Sequence, residues 1–182
     1  MEKNLIGELY SDGIETLNEK IGDDLPSPYP VLIFNLPPEE SCRNGECQNR
    51  FTCGFYSPEN GLIGLNDICY GFNGPDEFGL HEYVHKIEDH REMYEMLPKS
   101  RCTEMFFESL TNNLLEEIGI KTRSYPLETH IGKIALASNN LKPSDLFNDK
   151  SKIRVVYETF ESIYKEFGKL TNFYKDEQIW KN

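Results

Sequence analysis

Apolar residues recur at three- and four-residue steps over most of this chain, and in a few short places they crowd together instead. Leu5, Leu9, Leu17 and Ile21 stand among charges, which predicts a helix from residue 2 to about 22, weakened in its middle by Gly13. The segment Pro26-Ser27-Pro28-Tyr29-Pro30 ends it, because proline cannot continue a helix. Val31-Leu32-Ile33-Phe34, closed by Pro37-Pro38, reads as a short buried strand. Phe51 to Tyr56 and Leu62 to Leu65 read as two more. The turn between them ends in Asn60-Gly61, a pair that supplies positive φ.

Beyond Gly79 the spacing is helical and stays mostly so, with helices expected at about 76–96, 102–118, 127–138 and 152–172. The last carries Ile153, Tyr157, Phe160, Tyr164, Phe167 and Phe173, an aromatic stripe suited to core packing. Helix, a few strands, then helices is an α+β order, expected to form a single domain over residues 1–182 with a helical C-terminal half.

Composition narrows the partners. The chain has 182 residues, 38% of them hydrophobic, enough for one core. A net charge of -12 with no basic cluster argues against nucleic acid, whose phosphates demand Lys and Arg. A cationic peptide or protein substrate is better tolerated. The longest apolar run, Val31 to Phe34, is far short of the ~20 residues that span a bilayer, so no membrane partner is expected. Met1-Glu2-Lys3-Asn4-Leu5 lacks the basic start of a signal peptide, which gives a cytoplasmic address by default. Nothing in the sequence fixes oligomeric state. Cys42, Cys47 and Cys53 fall in a polar segment and, with Cys69 and Cys102, read as reduced thiols or one local disulfide. A zinc clip on those three lacks the CxxC pairs that would mark it.

The chemistry sits in His81-Glu82-Tyr83-Val84-His85, an H-E-x-x-H pattern. On a helix, residues four apart lie about 40° apart around the axis, so both imidazoles can grip one Zn²⁺. Glu82 lies about 100° round from His81, placed to take a proton from water as general base. Leu80, Tyr83, Val84, Ile87 and Tyr94 form an apolar face on the same segment, so the motif stands on an amphipathic helix.

A catalytic zinc keeps three protein ligands and an open position. His90, five residues past His85, lies about 140° away and reads as a surface residue. Glu88 is on the metal side but two turns from His81, too distant to be a ligand on a straight helix. Glu104 and Glu108 lie one turn apart at the margin of the stripe Phe107, Leu110, Leu114 and Ile118, where a carboxylate needs a partner or a metal.

These residues resemble the zincin metallopeptidases of the glutamate-liganded, gluzincin branch. Eighteen residues separate His85 from Glu104, similar to the spacing of the aminopeptidase N type. Thr103-Glu104-Met105-Phe106-Phe107 is similar to that family's N-E-G-F-A, with Met105 in place of glycine. Tyr56 to Asn66 followed by Gly79-Leu80-His81-Glu82 resembles the edge strand and active-site helix of the small SprT-like and ImmA-like groups. The resemblance covers roughly residues 51–118 and implies a minimal zincin-like domain, with a small sheet whose edge strand lies beside the active-site helix. It implies Glu104 as third ligand, with Glu108 either orienting a zinc histidine or, on the ImmA-like pattern, ligating in its place.

The activity implied is zinc-dependent hydrolysis of peptide bonds in a peptide or protein laid along the strand Leu62 to Asn66. Tyr125 and His130 are the available oxyanion donors. No G-A-M-E-N motif is present, a departure that counts against aminopeptidase action, and the sequence does not separate endo- from exopeptidase cleavage. The rival classes are a non-catalytic zincin-fold protein, to which Cys102 could add a fourth ligand, and a regulatory protease with one specific partner.

Overall fold

The computed structural model describes residues 4–22, 31–34, 39–43, 46–50, 53–66, 69 and 75–171. The fold is α+β. Its helices are α1 (Asn4–Ile21), α2 (Pro75–His90), α3 (Arg101–Glu117), α4 (Pro126–Ser138), α5 (Pro143–Asn148) and α6 (Ile153–Thr171). Its strands are β1 (Val31–Phe34), β2 (Glu39–Arg43), β3 (Glu46–Arg50), β4 (Gly54–Ser57) and β5 (Leu62–Asn66). Two compact units divide the chain: Met1–Arg91 with Leu115–Thr122, and Glu92–Leu114 with Arg123–Asn182. Helix α3 runs from the second into the first.

In the first unit, β1, β5 and β4 form a three-stranded sheet in that order. β1 pairs parallel to β5, with Val31 opposite Ile63, and β4 pairs antiparallel to it, with Gly54 opposite Leu65. The strand expected at the edge, Leu62 to Asn66, is therefore central, and β4 is the edge strand that lies beside α2. Burial explains the order: Ile63 and Leu65 are buried, whereas β4 is half-buried along its length. The turn comes out as expected, with Gly61 at φ 59°.

α1 packs on α2, and its Ile14, Leu17 and Ile21 are buried. Gly13 does not interrupt α1; a Cβ there would run into Leu80, so the glycine lets the two helices close. The Arg91 guanidinium donates to the Ile21 carbonyl at 3.1 Å, which satisfies an otherwise orphaned group at the end of α1. Leu80, Tyr83, Val84 and Ile87 are fully buried, as the apolar face of α2 requires. The helix is shorter than expected. It ends at His90, Glu92 turns left-handed at φ 55°, and Tyr94 falls in a separate 3₁₀ turn, Tyr94–Met96.

The stretch around Cys42 and Cys47 is a two-stranded antiparallel ladder, with Cys42 opposite Cys47 in register. These strands are polar and show no apolar alternation, so the hydrophobic pattern does not mark them. Cys53 is bonded to Cys69, which removes it from any zinc clip. Cys102 is buried and takes part in no disulfide. Of the strand expected from Phe51, residues 51 and 52 lie outside the described residues.

The second unit is helical. Phe106, Phe107, Leu110 and Leu114 of α3 are buried, as are Ile131 and Ala135 of α4 and Ile153, Val156, Tyr157 and Phe160 of α6. Phe106 meets Phe107, Tyr157 and Phe160 edge-on, with ring centroids 5.3–5.5 Å apart. Burial pushes the Tyr157 phenol above its ordinary pKa, so it stays protonated and donates to Glu161 at 3.2 Å. The aromatic stripe of α6 departs from expectation at its far end, where Phe167 is 40% exposed; Phe173 lies outside the described residues. The short helix α5 was not foreseen, being only six residues long.

A polar seam joins α3 to α4. Asn112 donates to the Ser124 carbonyl at 2.8 Å and to Thr129 Oγ1 at 3.0 Å. Asn113 donates to the Thr129 carbonyl at 3.1 Å. Gly132 sits against Ser109 with no room for a side chain between them. Within the fold, Asn112 is thus a structural residue of this seam.

Candidate metal centre

α2 carries the motif because Pro75 and the apolar spacing after it start a helix that buries one face and leaves His81, Glu82 and His85 on another. One turn separates the histidines, and their Nε2 atoms come within 3.0 Å of each other, rings nearly perpendicular. Two nitrogen lone pairs at that distance repel unless a proton or a cation lies between them. A tetrahedral ion at about 2.05 Å from each nitrogen would space them by roughly 3.3 Å, so the pair could close on a metal ion with a shift of a few tenths of an ångström.

Glu108 of α3 joins them. His81, His85 and Glu108 each offer one ligand atom, and all three atoms lie within 4.8 Å of one another, so this group could hold a metal ion. His81 is buried and the other two are half-buried. The expected third ligand, Glu104, is elsewhere: its side chain is 65% exposed and faces Arg101 at 3.5 Å. The two glutamates are about 40° apart around α3 but a full turn apart along it.

Two residues matter here that sequence reading assigned otherwise or passed over. Glu88 is fully buried and its carboxylate lies 2.8 Å from His85 Nδ1, the ring nitrogen turned away from His81. Its spacing of three from His85 was the available signal. Gly54, the first residue of β4, lies against Glu82: a Cβ there would stand 2.9 Å from the Glu82 Oε1 and 2.9 Å from its Cγ. No sequence signal pointed to it. Gly54→Ala is expected to push the Glu82 carboxylate aside while leaving metal content unchanged. If Glu82 serves as the general base its motif predicts, a displacement of about 1 Å would cost ~10²-fold in rate, so turnover read at unchanged metal content checks it.

The remaining candidates stand apart. Tyr125 is 38% exposed, with left-handed backbone at φ 47° ahead of α4, and its carbonyl accepts from Thr129. His130 and His90 are exposed, the latter as expected. Cys102 is not in the metal-capable group found among the described residues. Neither protein-family models, curated proteins nor solved structures gave a match to this chain.

Proposed function

We propose that the protein is a zinc metallopeptidase of zincin-like, HExxH type, with His81, His85 and Glu108 as ligands and Glu82 as general base. The observation that carries the reading is the approach of the two Nε2 atoms, 3.0 Å apart on adjacent turns of one helix, with the Glu82 carboxylate on the same helix. Three ligands leave the fourth position open, as catalytic zinc requires and structural zinc does not. When bound, zinc would polarise the scissile carbonyl and lower the pKa of a water to about 7. Glu82 accepts the proton of the attacking water and hands it to the leaving amine. A peptide substrate would lie extended along β4, the edge strand beside α2, pairing with its backbone. Glu108 replaces Glu104 as third ligand in this proposal.

The Cys53–Cys69 bond fits an oxidising compartment better than a reducing cytosol. No helix of the described residues is long and apolar enough to cross a membrane.

The test is hydrolysis in ¹⁸O-water of a mixed peptide pool by the zinc-loaded protein, read by mass spectrometry. Cleavage that places ¹⁸O in each new carboxyl terminus, stops with a chelator and returns with zinc supports the reading. A pool left intact, together with a full pool of folded proteins left intact, would remove it.

A further inference from the structure

We propose that Glu88 is a positioning residue for the metal, holding His85 by Nδ1 so that Nε2 faces the ion and placing a negative charge behind that ligand. The inference rests on the metal reading above and deepens it. Glu88 is fully buried, and its Oε2 lies 2.8 Å from His85 Nδ1. An ionised carboxylate only accepts hydrogen bonds, so the proton sits on Nδ1 and the lone pair is left on Nε2, the atom 3.0 Å from its counterpart on His81. That is the tautomer a metal needs.

The competing account is a buried ion pair that serves only to hold the fold, in which case metal affinity would not depend on Glu88.

The experiment uses the full chain with Glu88→Gln and Glu88→Leu. Zinc affinity is measured by competition with a chromophoric chelator, cobalt substitution is followed in the visible spectrum, and the metal-free proteins are melted. Gln keeps an acceptor for Nδ1 but loses the charge; Leu loses both. Zinc affinity is expected to fall roughly tenfold in Glu88→Gln and toward 100-fold in Glu88→Leu, with altered cobalt bands. Unchanged affinity and cobalt bands in Glu88→Gln, even with a lowered melting temperature, would overturn the proposal and leave a structural ion pair. Should Glu88→Leu fail to fold, the near-isosteric Gln variant decides. A wild-type chain that binds no zinc would overturn the metal reading itself, an outcome distinct from wild-type binding that Glu88 does not influence.

Discussion

Glu82→Gln is expected to keep its zinc and lose about 10²- to 10⁴-fold in peptide hydrolysis, the span that a positioned general base contributes. The amide has the shape of the carboxylate but cannot take a proton from water. Glu82 is outside the group formed by His81, His85 and Glu108, so its loss leaves the ligand atoms in place. Its half-buried carboxylate rests against Gly54, and the amide fits the same space. Zinc content and the turnover of a peptide cleaved by the wild type are the two readings. A variant that hydrolyses within a few-fold of wild type would deny Glu82 its role.

The second large effect is on stability. Gly132→Ala is expected to destabilise the protein by about 2 kcal/mol or more, although alanine is the better helix former by about 1 kcal/mol. The reason is space. Gly132 is buried inside α4, and a Cβ there would overlap Ser109 Oγ and stand 2.8 Å from Asn113 Nδ2. Both neighbours are buried, Ser109 at 1% and Asn113 at 4% exposure, so neither can swing into solvent. Pushing Asn113 also breaks its bonds to the carbonyls of Ser109 and Thr129, at 2.8 and 3.1 Å. Denaturant melts of Gly132→Ala and of Gly132→Ala with Ser109→Gly read this directly. Partial recovery in the double variant is expected; a stabilised single variant would mean that helix propensity outweighs the overlap.

How far the sequence revealed this molecule depends on what kind of signal each part leaves. The helices on amphipathic spacing were legible, α3 and α4 to within a residue or so at each end. α2 was read too long, because its apolar spacing continues to Tyr94 while the backbone breaks at Glu92. The β2–β3 ladder was missed for its polar composition, although Asn44-Gly45 between the strands is a hairpin signature in the sequence. That β5 is central rather than an edge could not be read from five residues. It follows from the parallel partner β1, and pairing across a long connection leaves no local trace.

The site divides in the same way. His81 and His85 were readable because helix geometry alone brings residues four apart together. The choice between Glu104 and Glu108 was not, since both stand one turn apart on one helix and spacing alone does not separate them. Glu88 was judged by whether it reaches the metal, whereas its partner is the other nitrogen of His85. An imidazole has two working ends, and spacing arguments built on one of them overlook the other.

The most direct measurement is zinc bound per chain in the wild type and in His85→Ala, Glu108→Ala and Glu104→Ala. The account predicts one zinc in the wild type and in Glu104→Ala, whose exposed side chain pairs with Arg101, and sharply weakened binding in the other two. Zinc retained by both His85→Ala and Glu108→Ala, or lost from Glu104→Ala alone, would contradict it.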